Sequence, residues 1–146
     1  MRSVAVSPDN CHVVSGSWGE RNMSTGEEEH VLQGHSGGVW SVAVSPDCRH
    51  IVSGSKDKTV RIWNASTGEE EHVLLGHSDI VTSVTVSSDN RYVVSGSWDE
   101  TVRIWNASSG EEGRVLRGHL TLVNSVAVSS DNCHIVSGSS DRTVRI

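Results

Sequence analysis

Three times in this chain of 146 residues a histidine is followed 18 residues later by a serine and 22 residues later by an aspartate. The sets are His35, Ser53 and Asp57; His77, Ser95 and Asp99; and His119, Ser137 and Asp141. A hydroxyl, an imidazole and a carboxylate are the parts of an acyl-transfer relay, in which the histidine takes the serine proton and the carboxylate orients the ring. A catalytic constellation is normally single and lies in a cleft. These trios recur in successive units, so no catalytic residue is expected and the chain does not read as an enzyme. What the trio does instead follows from the units that carry it.

Those units are repeats. Gly-His recurs at 34–35, 76–77 and 118–119, each step being 42 residues. "SVAVS" or its near copy "SVTVS" begins at 3, 41, 83 and 125, with steps of 38, 42 and 42. Residues 35–76 and 77–118 differ at 14 of 42 positions, leaving 28 identical. Self-similarity of this kind means copied structural units. One unit predicts four short strands, at 41–45 around Val42 and Val44, at 50–55, at 59–63 and at 71–75. "PDCR", "KDK" and "NASTGEE" supply the turns between them, and each strand carries β-branched residues. No window holds a helical period. The fold class is all-β, built from small four-stranded antiparallel meanders.

Gly-His, then "SVAVSPD", then Ser-Gly-Ser-x-Asp and "TVRIW", in repeats of about 40 to 45 residues, resembles the WD-repeat β-propeller family. The dipeptide that names the family is Trp-Asn here, at 63–64 and 105–106. The resemblance covers nearly the whole chain, leaving out residues 18–24. It implies a partial propeller of about three and a half blades. They fall near 1–34, 41–76 and 83–118, with an incomplete one at 125–146. It also implies a role for the trio. In the family each blade is locked by a hydrogen-bonded network of His, Ser or Thr, Asp and Trp. The matching residues are His35, Ser53, Asp57 and Trp63; His77, Ser95, Asp99 and Trp105; and His119, Ser137 and Asp141. A buried carboxylate is costly without donors, and losing one partner of such a network leaves polar groups unpaired at ~1–3 kcal/mol each. The third tryptophan would be residue 147. The first unit keeps Ser15 but has Gly19 at the aspartate position, and a four-residue deletion between Trp18 and Ser24 damages its third strand.

Composition narrows the function further. Lys plus Arg number 12 and Asp plus Glu 18, a formal net charge of −6. That balance argues against a nucleic-acid partner, whose binders show a basic face. No run approaches ~18 apolar residues and "MRSVAVSPDN" has no signal-peptide core, so no membrane association is expected and the chain reads as cytoplasmic. Cys11, Cys48 and Cys133 are scattered without a CxxC. Cys-His occurs at 11–12 and 133–134, on different units, so free thiols are expected rather than a zinc site with its about four convergent ligands. No phosphate loop or metal signature appears, and no cofactor is expected. The sequons at Asn22, Asn64 and Asn106 read as an asparagine in a copied turn rather than as glycosylation sites.

Where copies of one scaffold differ most, structure is not dictating the residue. Three residues after the histidine stand Gly38, Ile80 and Leu122; five after it stand Trp40, Thr82 and Asn124. Immediately before the aspartate, or the Gly19 that replaces it, stand Trp18, Lys56, Trp98 and Ser140. In the family these loops converge on one rim of the central channel, where partners dock. The resemblance makes Trp40, Trp98, Ile80 and Leu122 apolar anchors there, with Lys56 as a charge, and exposed tryptophan is a typical hot-spot residue. Trp40 and Ile80 have a second reading, packing between blades. The resemblance puts the acidic turns at 25–30, 67–72 and 109–114 on the opposite face, where repeated Glu could attract a basic partner but is expected only to keep that surface soluble.

The expected function is non-catalytic recognition of a protein or peptide partner through the rim, as a scaffold or a ligand-sensing module. The near-identical copies also resemble the repeat arrays of fungal NACHT-type WD-repeat receptors. The alternative is a decayed or truncated repeat fragment without independent function, which would not melt cooperatively. Rings of the family close with about four to eight blades. The chain is therefore expected to be a piece of a larger propeller, or else to draw further blades from another chain. The motif cut at Ile146 and the damaged first unit favour the piece.

Overall fold

Short β-branched runs separated by tight turns pair with the next run along the chain, and that rule builds every sheet here. The computed structural model describes residues 3–6, 13–16 and 31–146. Strands β1 (Ser3–Val6) and β2 (Val13–Gly16) pair as a two-stranded sheet. A four-stranded meander follows in chain order, β3 (Val39–Val44), β4 (His50–Ser55), β5 (Val60–Asn64) and β6 (Glu70–Leu74). Its near copy is β7 (Val81–Val86), β8 (Tyr92–Ser97), β9 (Val102–Asn106) and β10 (Glu112–Leu116). The last sheet has three strands, β11 (Val123–Val128), β12 (Ile135–Ser139) and β13 (Val144–Arg145). Every pairing is antiparallel, and no helix occurs among the described residues. The architecture is all-β, about three and a half blades stacked side by side. No helix of the described residues is long and apolar enough to cross a membrane.

The first strands of successive sheets, β1, β3, β7 and β11, are neighbours. Their register is fixed by a side chain reaching across. The N–H of Val84 donates to Ser41 Oγ at 3.1 Å, and the N–H of Val126 donates to Ser83 Oγ at 3.1 Å. Glycine in the second strand permits the approach, since a Cβ on Gly54 would lie 2.7 Å from Val81 Cγ1 and one on Gly96 2.8 Å from Val123 Cγ1. The core fills the gaps between sheets. Val52, Val60, Ile62 and Leu74 meet Val81, Val84, Val93 and Trp105 in one gap, and Val94 and Val102 meet Val123 and Val126 in the next.

The first strand of each unit differs from the sequence expectation for a physical reason. The ladder starts at Val39 rather than Ser41, with Val39 opposite Ser55 and Ser41 opposite Gly54. Trp40 is thus the extra residue of a β-bulge, and Thr82 and Asn124 hold the same place in β7 and β11. A bulge breaks the period-2 alternation and re-aims the chain. It lets Val81 and Val84, three residues apart, both be buried. The third strand starts one residue late, at Val60, because Thr59 is held in the turn. Residues 17–30 lie outside the described residues, and with them Trp18, the damaged third strand, the sequon at Asn22 and the first acidic turn. Cys11 lies outside them as well.

Candidate functional site

His35 sits in the loop before β3, Ser53 in β4, Asp57 in the turn to β5, and Trp63 in β5. Ser53 lies opposite Arg61, so Trp63, two residues further on, shares its face. His35 Nδ1 is 2.8 Å from Asp57 Oδ2 and its Nε2 is 2.7 Å from Ser53 Oγ, while Trp63 Nε1–H donates to Ser53 Oγ at 2.8 Å. One proton arrangement satisfies every contact: indole N–H to serine oxygen, serine O–H to Nε2, and Nδ1–H to the carboxylate. The second copy repeats it, with His77 2.7 Å from Asp99 and 2.8 Å from Ser95, and Trp105 2.8 Å from Ser95. In the third, His119 is 2.8 Å from Asp141 and 2.9 Å from Ser137.

Two further residues per copy belong to this network, and sequence reasoning missed them. Thr59 donates its hydroxyl to Asp57 Oδ1 at 2.7 Å and its N–H at 3.0 Å. Thr101 and Thr143 do the same for Asp99 and Asp141. Ser55 Oγ accepts the N–H of Asp57 at 3.1 Å and donates to the Gly37 carbonyl at 3.1 Å, fastening the aspartate turn to the histidine loop. The signal was present, since Asp-x-Thr stands unchanged in all three copies. Gly34 has a steric reason as well. A Cβ there would collide with the Arg61 guanidinium and lie 3.1 Å from the Trp63 ring. Arg61 crosses that glycine to pair with Glu70, and Arg103 pairs likewise with Glu112.

Electrostatics follow from these contacts. Burial alone would raise the Asp57 pKa, but the Thr59 hydroxyl, His35 and the Thr59 amide outweigh it and hold it at about 2. Burial is likewise overcome at Asp99, chiefly by His77 and Thr101, and the Thr143 hydroxyl leads in holding Asp141 well below the usual carboxylate range. Burial pushes the His35 imidazole down, more strongly than its bond to Asp57 pulls it up.

The Ser–His–Asp distances are those of a relay, yet the serine oxygen is closed off. Ser53 is 4% exposed and Ser95 0%, each held between an imidazole and an indole N–H, with no room for a substrate carbonyl. Residues 34–38, Gly-His-Ser-Gly-Gly, match the G-x-S-x-G pattern of a nucleophile elbow, a match absent from the sequence candidates. That elbow needs a strand-to-helix turn. Here Ser36 lies in a loop leading into β3, and its N–H donates to Asp57 Oδ2 at 3.0 Å. Among the described residues no three His, Cys, Asp or Glu side chains converge as a metal set would, and Cys48 and Cys133 are free thiols. The side-chain oxygens of Asn64 and Asn106 each accept two N–H groups within their own turn, at 2.9 and 3.1 Å and at 2.9 and 3.0 Å. That turn geometry accounts for an asparagine there.

The variable positions meet at the opposite end of the sheets from these turns. Lys56 N–H donates to the Gly38 carbonyl at 2.9 Å, Trp98 N–H to that of Ile80 at 2.9 Å, and Ser140 N–H to that of Leu122 at 3.0 Å. The Trp40 ring meets the Trp98 ring of the next sheet edge-to-face, with centroids 5.3 Å apart. The Thr82 hydroxyl lies 2.6 Å from the Val123 carbonyl of the next sheet, and Asn124 Nδ2 donates to Ser140 Oγ at 2.8 Å. Lys56, Asn124 and Ser140 are exposed, while Gly38, Trp40, Thr82, Trp98 and Leu122 are half-buried. Ile80 is only 8% exposed, so the packing alternative holds for it and it offers no open anchor. An aliphatic side chain beside the fully buried Val81 gains by leaving water. Trp18 is outside the described residues.

Stacked antiparallel meanders, pinned by a buried histidine network and laid side by side through their first strands, define a β-propeller type of repeat protein. The family model for the WD domain, G-beta repeat, matches residues 26–64, 68–106 and 110–146, and the chain belongs to the WD-repeat family. The second and third matched segments each begin ahead of the outer strand of one sheet and run through the third strand of the next, so each of these two repeats straddles two sheets. No curated protein matches the chain. WD repeats generally mediate protein–protein interaction and are typically scaffolds rather than catalysts.

Proposed function

We propose that the chain is a non-catalytic recognition module, a cytoplasmic scaffold or ligand sensor that binds a protein or peptide partner through the rim. The carrying observation is the contact between Trp40 and Trp98 across two sheets. It leaves Trp98 half-buried and braced, the state of a preorganised aromatic anchor. Gly38, Lys56, Thr82, Leu122, Asn124 and Ser140 complete the surface, and Trp18 is taken as its continuation on the first unit. The histidine networks serve this reading as the framework that fixes the loops. The blades run near 1–34, 41–76, 83–118 and 125–146 and form one sector of a ring of about four to eight. The identity of 28 in 42 positions between neighbouring copies supports a shared origin with the arrays of fungal NACHT-type receptors.

Partners selected from a displayed peptide library test the reading. Binding should fall in Trp98→Ala, with unfolding still cooperative though at a somewhat lower melting temperature, and in Lys56→Glu, and persist in Glu111→Ala on the opposite face. Partners that ignore the rim variants and are lost with Glu111→Ala would place recognition at the wrong end of the sheets.

A further inference from the structure

We propose that the rim corner of the β3–β6 sheet receives a carboxylate carried beside an apolar side chain, so that the partner is an acidic peptide segment. This rests on the rim reading and names the chemistry of what binds there. It comes from a difference between two copies of one corner. In the β7–β10 sheet, Asp79 Oδ1 accepts the N–H of Ile80 at 2.7 Å, so that corner carries its own carboxylate on the loop amide. Its aspartate turn adds Trp98 and Glu100.

In the β3–β6 sheet the loop equivalents are Gly37 and Gly38, and the turn carries Lys56 and Lys58 instead. The amide of Gly38 has no acceptor among the described residues. No side chain at 37 can supply one either, because a Cβ there would lie 2.8 Å from Asp57 N. Asp57 is turned away to His35 and Thr59. Among the described residues the corner thus presents a backbone donor, the exposed Lys58 in its turn, and the Trp40–Trp98 pair at the boundary with the next sheet.

A carboxylate from outside would take the place that Asp79 fills in the other copy, with a charge-assisted bond to Lys58. An adjoining apolar side chain would lie against Trp98. The opposite end of the sheets bears exposed Glu69, Glu71 and Glu111, which disfavour an acidic partner there and direct it to this corner.

The test uses a fluorescein-labelled peptide of alternating Leu and Glu, with Gln and Lys counterparts, titrated into the protein and followed by anisotropy. The Glu peptide should bind about tenfold more tightly than either counterpart and weaken as salt is raised. Lys58→Glu should lower its affinity by about tenfold, and Lys58→Gln by less, both without change in melting temperature. Equal affinity for the Glu and Gln peptides, lost in Trp98→Ala, overturns the carboxylate preference and leaves the rim reading standing. Binding of none of the peptides, or binding indifferent to Trp98→Ala, overturns both.

Discussion

Thr101 places both its hydroxyl, at 2.6 Å, and its amide, at 3.0 Å, on one carboxylate oxygen of Asp99, and is itself only 4% exposed. Thr143 makes the same pair of bonds to Asp141 in a solvent-exposed setting. Thr101→Val keeps the shape and removes one donor from a buried carboxylate, so it should cost ~1–3 kcal/mol in urea unfolding. Thr143→Val should cost less, because water can replace the hydroxyl. Equal losses at the two sites would show that burial does not govern the network.

The glycine in each second strand makes an opposite pair. A Cβ at Gly96 would lie 2.8 Å from Val123 Cγ1, whereas one at Gly138 meets nothing within 4 Å. Gly96→Ala should push two sheets apart and lower stability by ~1–3 kcal/mol. Gly138→Ala in the same 146-residue chain should be neutral, or raise stability by up to ~1 kcal/mol as a strand glycine is lost. A tolerated Gly96→Ala would mean that the sheets are not held at the described spacing.

These two glycines also mark how far the sequence could be read. The 42-residue period and the β-branched runs located the four strands of each unit, and the family motif assembled His77, Ser95, Asp99 and Trp105. Local alternation placed the first strand at Ser41, because the bulge at Trp40 hides two residues of ladder from a period-2 pattern. The spacing Val39-x-x-Val42 was the available sign of it. Ile80 varies between copies, as an interaction residue would, yet it is buried, since comparison of copies reports freedom from the shared framework and not exposure. Thr59, Thr101 and Thr143 escaped notice because they never vary, which marks them as framework without saying what they bind.

The network should also set the acid response. His35 has a folded pKa below its ordinary 6.5, so protonation favours the unfolded chain. Its contribution is complete above 6.5 and is lost as pH falls below that value. Asp57 lies at about 2 against an ordinary 3.8, so its contribution is complete above 3.8 and is lost between there and about 2. Melting temperature should therefore decline modestly from pH 7 to 5 and steeply below 4. His35→Asn should remove the upper step and shrink the lower one, because His35 is one of the groups that hold Asp57 down. A melting temperature that rises on acidification from pH 7 to 5 would contradict the neutral imidazole.

Cys48 occupies a left-handed backbone position, φ 58°, where the equivalent turns carry Asn90 at 61° and Asn132 at 59°. Asparagine tolerates that region because its short amide can bond locally, whereas a cysteine there meets the Cβ–carbonyl crowding that penalises most side chains. In addition, Asn90 Oδ1 accepts the N–H of Asp47 from the preceding sheet at 3.2 Å, and Asn132 Oδ1 accepts that of Ser88 at 2.9 Å. The asparagine thus serves both its own turn and the joint between sheets. Cys48→Asn should raise stability by ~0.5–1 kcal/mol through the backbone preference, while Asn90→Cys should lose that and the bond to Asp47, at ~1–2 kcal/mol. Chemical unfolding of both variants separates the two contributions, since only the second change touches an inter-sheet bond seen among the described residues. If Cys48→Asn leaves the midpoint unmoved while Asn90→Cys lowers it, the inter-sheet bond and not the left-handed turn is what selects asparagine in these turns.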